Sequence, residues 1–504
     1  NILKLSTVIV MKKFNKILIS SFLAIIIFYG LFLHFYKIGE QSYWIDEGYT
    51  LNAVLSTLEK GYPILDSGQV YGKNYLLNNY LITGVVKLGG FNPIATRSVA
   101  AVFGAGVIFL IYLLGKKFFN PLVGLGAAIM TTFSYWEIAW SRQARMYIQL
   151  QFFFLLSLYL FNSLLNKFSY KKLVFLISAT VATILSHYFG YFLLIIYALI
   201  LLINLISLKK EQIKEFFNSK TKIITIGLSS LITIVLILKL SLSFFSQLQG
   251  RDYFFGLSYQ NFLLTNIGIV TITALIGVVI AIVKEKNLKP TIILLTSYLI
   301  PYLIIIFSVN SLHFRYLFFI LPILFLFSAY FINYLANFSK YKHSLYLILL
   351  IILIVSSNLL NPNTFVFKAQ SHYYLEPHTP QPDFKSAYRT IIKQGWDDDK
   401  VIVSAFTQLD KVYLGRSDYW LAIDLYGHSL DKNKLSEREY YNNAITISSA
   451  EQLKQLMETK TGYIIVDNMA RIRLNKEINE LISQQKLIFY NNTEQQDPIW
   501  VFAF

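Results

Sequence analysis

The chain has 504 residues, 55% of them hydrophobic and only 14% charged, with a mean hydropathy of +0.50. That balance excludes a soluble globule, a disordered segment and a coiled coil, because long apolar runs with few charges are membrane spans. The lack of cysteine excludes disulfides, cysteine-ligated zinc, iron–sulfur clusters and thiol chemistry. The net charge of +17 does not indicate nucleic acid: residues 361–504 hold 16 Lys+Arg against 18 Asp+Glu, so the basic excess lies wholly in residues 1–360. Basic cytoplasmic loops are its usual cause in a membrane protein.

In chain order, about eleven segments approach the length of a span. They run roughly 14–35, 94–115, 119–140, 146–166, 172–187, 189–207, 222–242, 262–283, 290–308, 315–336 and 344–360. The first has no small-residue cleavage site and reads as a signal anchor, with Met11-Lys12-Lys13 a better start than Asn1. The stretch Ser186-His187-Tyr188-Phe189-Gly190 is either a turn between two spans or a break within one. Lysines set the orientation. Lys12, Lys13 and Lys16 precede the first span, and further groups follow the second, fourth, sixth, eighth and tenth, from Lys116 and Lys117 to Lys340 and Lys342. All fall on one face, which the positive-inside rule makes the cytoplasm. The N-terminus is then cytoplasmic, and an odd span count puts residues 361–504 outside the cell membrane.

The opposite face carries Arg142, Arg145, Arg251 and Arg315 in short loops without lysine, together with Glu40, Asp46, Glu47, Glu59, Asp66, Glu137 and Asp252. A guanidinium has a planar fork of donors that suits phosphate oxygens. The set therefore reads as a site for a phosphorylated ligand at the outer leaflet. The alternative is that each arginine pairs with a nearby acid or a lipid headgroup.

Residues 36–93 form the longest connection between spans and open with Tyr43-Trp44-Ile45-Asp46-Glu47-Gly48. Leu51, Val54, Leu55 and Leu58 follow at helical spacing, and residues 75–88 are apolar but short for a span. Both segments fit amphipathic helices lying in the interface. Asp46 and Glu47, being consecutive, point different ways, unlike the two acids that flank a glycosidic bond in a hydrolase. One carboxylate is enough where phosphate leaves, because cations receive its charge and only the acceptor needs a base. Asp46 with the outer arginines meets that need; alternatively Asp46 and Glu47 cap the helix at 49–59.

Trp44-Ile45-Asp46-Glu47 resembles the Asp-Glu signature in the first outer loop of the GT-C glycosyltransferases, in the branch of protein O-mannosyltransferases and aminoarabinose (lipid A) transferases. Ser141-Arg142-Gln143-Ala144-Arg145-Met146-Tyr147 resembles that family's Arg-Met-Tyr segment, His187-Tyr188-Phe189-Gly190 its short outer turn, and Arg315-Tyr316 with Pro322 its later Arg-Tyr…Pro span. Arg97 stands where many members carry arginine. The likeness covers roughly residues 14–335. It implies a donor sugar on a polyprenyl or dolichyl phosphate, an acceptor hydroxyl on lipid, glycan or protein, and a single displacement with Asp46 as base. Glu47 would bind acceptor or order the site. Arg142, Arg145, Arg315 and Arg97 would bind donor phosphate, and Tyr147, His187, Tyr188, Tyr316 and Glu137 would line the substrate pocket. No cofactor is implied, and a divalent metal is left open. The family's His-Pro-Pro is missing: the matching stretch reads Val70-Tyr71-Gly72-Lys73-Asn74-Tyr75. Acceptor identity therefore transfers less well than mechanism.

Residues 361–504 read as a soluble α/β domain. Asp383 caps a helix ending near Gly395, 401–403 and 463–466 are strands, 449–459 and 475–485 are helices, and 499–502 is a closing strand, giving a mostly parallel sheet. Asp397-Asp398-Asp399 reads as a solvated turn, and His372 and His378 lie in a proline-rich connection. The expected architecture is thus a polytopic α-helical membrane protein of GT-C type (1–360) with a C-terminal soluble α/β domain (361–504). A flippase or transporter of polyprenyl-linked glycans would need ionisable residues deep in several spans, where this chain has almost none. A membrane scaffold with a binding tail would leave Asp46 and the outer arginines without a role.

Overall fold

The computed structural model describes residues 2–72, 75–206, 256–308, 313–357, 359, 382–423, 437–493 and 496–504. The span expected at 222–242, and Lys73, Asn74, Lys239, Arg251, Asp252, His372 and His378, lie outside the described residues. The chain forms two compact units. One comprises Asn1–His34, Val102–Ser141 and Met146–Thr364; the other comprises Phe35–Ala101, Arg142–Arg145 and Phe365–Phe504.

The first unit is helical. It holds α1 (Ile2–Phe35), the later part of α4 (Pro93–Phe118), α5 (Pro121–Phe133), α6 (Tyr135–Trp140), α7 (Tyr147–Asn166), α8 (Tyr170–Ser186), α9 (Phe192–Ile206), α10 (Gly256–Lys284), α11 (Lys289–Ser308), α12 (Leu321–Ala336) and α13 (Lys342–Ser356). Among the described residues, five helical segments are long and apolar enough to cross a bilayer: 93–118, 147–166, 257–284, 289–307 and 314–336. Four shorter apolar helices accompany them. The chain is a multi-pass membrane protein, and exposed Phe28, Leu275, Val279 and Val355 present apolar surface that a bilayer would cover. The expected span at 119–140 is two helices: α5 stops at Ser134, whose Oγ accepts the Glu137 amide and starts α6. At the His187 turn the chain also forms two helices. His187 Nδ1 accepts the Phe189 amide, and a 3₁₀ turn, Tyr188–Tyr191, joins α8 to α9. Helices α4 and α5 cross at paired glycines. A Cβ on Gly124 would lie 2.4 Å from the Tyr112 carbonyl oxygen, so only glycine permits that approach.

The second unit contains α2 (Ile45–Lys60), α3 (Leu76–Gly89), the head of α4 and a C-terminal α/β layer. Its six-stranded sheet has the order β3-β2-β1-β4-β6-β5: β1 (Val401–Ser404), β2 (Tyr419–Leu421), β3 (Ile445–Ile447), β4 (Gly462–Asp467), β5 (Lys486–Thr493) and β6 (Gln496–Ala503). The pairs from β3 to β4 are parallel, while β6 runs antiparallel to both β4 and β5. β4 is central and wholly buried, and its helices α16 (Ala450–Thr459) and α18 (Lys476–Ser483) start at Ser449 and Asn475 caps. Helix α14 (Phe384–Lys393) starts at Asp383, which accepts the Ser386 amide. The helix α15 (Thr407–Leu414) was not expected from sequence; the remaining short helix is α17 (Asn468–Arg473).

The C-terminal layer is joined to the connection 36–93, which lies in the same unit. Helix α15 lies on α2, with the Tyr413 hydroxyl accepting the Tyr43 amide at 3.0 Å and Lys411 paired with Asp66. Ser42 donates to Asp383 at 3.0 Å, and Lys385 Nζ donates to the Gly39 carbonyl at 2.8 Å. Gly48 on α2 faces Gln408 and Leu409, and a Cβ there would lie 2.8 Å from Gln408 Cγ.

Candidate active site

The first turn of α2 builds the site. Glu47 is the third helical residue, and its Oε2 accepts the Trp44 amide at 3.3 Å, a capping-box bond that starts the helix at Ile45. The same carboxylate accepts Arg97 Nε at 2.8 Å, Arg97 Nη2 at 2.7 Å and the Ala144 amide at 2.7 Å. Glu47 and Arg97 are both sealed from solvent. A buried bidentate pair of this kind is held by geometry, and removing one partner leaves a bare charge. The Glu47–Ala144 bond also fixes Arg142–Arg145, the short segment that belongs to this unit although the residues flanking it belong to the other.

Arg97 departs from its expected role. Its Nη1 donates to the carbonyls of Ile38 and Gln41, at 2.8 and 3.0 Å, and its Nη2 also donates to Ser42, at 2.9 Å. With the two bonds to Glu47, all five N–H groups of the guanidinium are committed. Arg97 has no donor left for a phosphate; it ties the beginning of the 36–93 connection to the head of α4. Glu47, given as a catalytic candidate with Asp46, has its carboxylate engaged by the Trp44 and Ala144 amides and by Arg97.

Asp46 differs from its neighbour. Its side chain keeps 23% exposure, and Oδ2 lies 3.4 Å from Arg145 Nη2. Arg145 Nη1 reaches the Asp46 carbonyl at 2.8 Å, Thr50 Oγ1 at 2.9 Å and the Tyr71 hydroxyl at 3.3 Å. Burial pushes the Tyr71 phenol well above its ordinary pKa, with Arg145 opposing the shift, so the phenol stays neutral. Arg142 Nη1 donates to the Tyr36 carbonyl at 2.6 Å. This cluster therefore sets a partly exposed carboxylate beside a guanidinium that protein groups already hold. Tyr71 and Thr50 are site residues that sequence reasoning missed. Thr50 follows Asp46 by one helical turn, a spacing that could have pointed to it.

The remaining candidates gather in the first unit. Tyr147 is their centre: its ring lies 4.7 Å from Trp140, 5.7 Å from His187 and 5.9 Å from the Arg315 guanidinium. His187 stacks on Tyr188 at 4.3 Å, and Phe189 bridges to Tyr316 at 5.3 Å. Glu137 is buried, and its Oε1 accepts Gln151 Nε2 at 2.9 Å, while the same nitrogen reaches the Phe318 carbonyl. Among the described residues, no group of three or more His, Asp or Glu side chains comes together as a metal site.

Residues 75–237 match the family model described as dolichyl-phosphate-mannose-protein mannosyltransferase. Comparison with curated proteins gives no match. ArnT from Cupriavidus metallidurans, solved bound to undecaprenyl phosphate, is similar over 96% of this chain and 98% of its own, with a TM-score of 0.60 and 9% identity. The archaeal oligosaccharyltransferase AglB from Archaeoglobus fulgidus, solved with an inhibitory peptide and a dolichol-phosphate, is similar over 96% of this chain and 74% of its own, with a TM-score of 0.58 and 12% identity.

Proposed function

We propose that this chain, which has the GT-C fold, moves a sugar from a polyprenyl-phosphate donor to an acceptor hydroxyl on lipid, glycan or protein at the outer face of the cell membrane, with Asp46 as the base. Glycosyltransferase is the class that both the fold and the family-model match support. One observation carries the assignment of roles within that class. Of two adjacent carboxylates, Glu47 is consumed by four protein donors, whereas Asp46 stays accessible with an arginine 3.4 Å away.

The reaction is a single displacement. The acceptor oxygen attacks the anomeric carbon, its proton passes to Asp46, and the bond from that carbon to the phosphate oxygen breaks. The polyprenyl phosphate departs with the electron pair, and Arg145 and Arg142 receive its charge. Arg145 suits this role because Thr50 and Tyr71 already hold its position, so little reorganisation accompanies charge development. In the first unit, Arg315 and His187 around Tyr147 provide cationic and hydrogen-bonding groups among aromatic rings, the chemistry of a substrate-binding pocket.

The test is to purify the full chain in nanodiscs, identify the co-purifying prenyl-phosphate sugar by mass spectrometry, and follow its transfer to envelope lipid and glycan fractions. Sugar transfer that Asp46→Asn abolishes, with the variant still folded in the membrane, supports the assignment. Undiminished transfer by that variant removes Asp46 from the mechanism. Failure of the wild-type chain to bind or consume any prenyl-phosphate sugar removes the function.

A further inference from the structure

The loop 437–444 of the C-terminal layer reaches the site. Four hydrogen bonds hold it there. The Ser67 amide donates to the Tyr441 carbonyl at 3.4 Å, and the Tyr440 hydroxyl donates to Gln69 at 3.3 Å. Asn442 accepts from Asn52 on α2 at 3.1 Å and donates to Thr407 on α15 at 3.1 Å. The loop is also closed on itself, since the Glu439 carboxylate accepts the amides of Tyr441 and Asn442 at 2.9 and 2.6 Å, and Asn443 takes a left-handed φ of 61°. A loop fixed at this many points presents Tyr441 in a defined place.

That place is an aromatic cluster beside Asp46. Tyr49 lies three residues beyond Asp46 on α2, hence on the same face. Its ring is 4.5 Å from Tyr441 and 5.8 Å from Tyr71, onto which it stacks at 24°. Tyr71 meets Tyr75 edge-on at 5.5 Å and Tyr441 at 6.3 Å, and the Arg145 guanidinium sits 6.0 Å from the Tyr75 ring. All four tyrosines are half-buried, so the cluster is not a closed core. Rings with polar edges, bordered by a carboxylate and a guanidinium, suit one ligand class well. A pyranose has an apolar face of C–H groups for a ring and a girdle of hydroxyls for the charged and phenolic groups.

We propose that loop 437–444 is part of the substrate site: Tyr441, with Tyr49, Tyr71 and Tyr75, forms a platform on which a pyranose ring lies, so the C-terminal layer takes part in choosing the saccharide. This deepens the transferase reading and rests on it for its biological meaning. The binding itself requires no turnover. The pyranose belongs either to the donor or to a glycan acceptor, and the ring chemistry is the same for both.

The experiment is saturation-transfer NMR on the full chain in nanodiscs, with methyl α-mannoside, methyl α-glucoside and methyl α-galactoside as probes. The wild-type protein saturates the ring C–H protons of at least one probe. Tyr441→Phe keeps that signal, whereas Tyr441→Ala and the bulk-preserving Tyr441→Leu reduce it at least fivefold. Adding polyprenyl-phosphate mannose then separates the sources: displacement of the probe assigns the platform to the donor sugar, and retention assigns it to the acceptor. Equal saturation by wild type and Tyr441→Leu, or no saturation of any probe by the wild type, overturns the proposal. Loss of transfer in Asp46→Asn tests the reaction independently, so failure of the platform and failure of the transferase reading give different results.

Discussion

The inner and outer sides of one helical turn differ sharply in this protein. On the inner side of α2, Glu47 is buried, bidentate to Arg97 and capped by two backbone amides. On the outer side, one residue earlier, Asp46 is partly exposed and faces Arg145. The same chemical group is thus used in two ways. A carboxylate with every lone-pair direction filled by protein is an anchor, because moving it would strand Arg97 in a sealed site. A carboxylate that keeps part of its surface exposed is the one that the proposed mechanism uses to take a proton. In the proposed mechanism the site is divided between a rigid support, Glu47, and a reacting group, Asp46, and the support has to be bound tightly.

The largest effects should separate these two sides. Asp46→Asn keeps the shape of the turn and removes the proposed base. Turnover should fall by roughly 10²–10⁴-fold, while thermal stability in nanodiscs stays within about 0.5 kcal/mol of wild type. Glu47→Gln should do the reverse in kind. It leaves the Arg97 charge buried without its counter-charge, and destabilisation of about 3–5 kcal/mol is expected, read as a lowered unfolding temperature and poor membrane yield. Pairing it with Arg97→Met should recover part of the loss, because the orphaned charge is gone. If Glu47→Gln folds normally but is inactive, the division between anchor and base is wrong.

Much of this arrangement was legible in the sequence, and the parts that were not share a cause. The apolar spacing of Leu51, Val54, Leu55 and Leu58 marked α2, but its start at Ile45 instead of 49 depends on Glu47 reaching back to Trp44. Arg97 joined the anion binders only through the family resemblance. What claims it instead are the carbonyls of Ile38, Gln41 and Ser42, about which a one-dimensional pattern says nothing. The strands β1, β4 and β6 showed as apolar runs, whereas β2 and β3 have three residues each, too few for a period to register. Helix α15 was missed because eight residues with a narrow apolar stripe resemble a loop, yet it carries the contacts to α2. The Tyr43–Tyr413 bond spans 370 positions.

Two smaller changes probe what holds the outer side in place. Arg145→Lys keeps the charge but cannot reach Thr50, Tyr71 and the Asp46 carbonyl together. Losing one or two hydrogen bonds from a charged group costs roughly 1.5–3 kcal/mol, so kcat/KM for the prenyl-phosphate donor should fall about 10–100-fold. Gly48→Ala acts from the supporting side. Its new methyl would press on Gln408 and Leu409, at 2.8 and 3.1 Å. Overpacking of this kind costs about 1–3 kcal/mol, and it should lower stability and turnover together, since α2 moves with both carboxylates.

The smallest effect tests the support through pH. Asp410 sits inside α15, where burial pushes its carboxyl up to about 7; hydrogen bonds from Ser404, Tyr388 and Ser417 oppose the shift, and Asp418 adds to it. Because the folded value lies above the unfolded one, the folded chain holds this proton more tightly. The stabilisation is full below about pH 4 and is lost as pH rises through about 7. Between pH 6 and 8 the loss for this group is roughly 1.4 kcal/mol. Asp410→Asn has no such proton to release, so the stability difference between wild type and variant should shift by that amount across the interval, measured by thermal unfolding at each pH. Parallel curves would mean that Asp410 is ionised throughout, held by its three hydroxyl donors, and that α15 supports α2 without a titrating group.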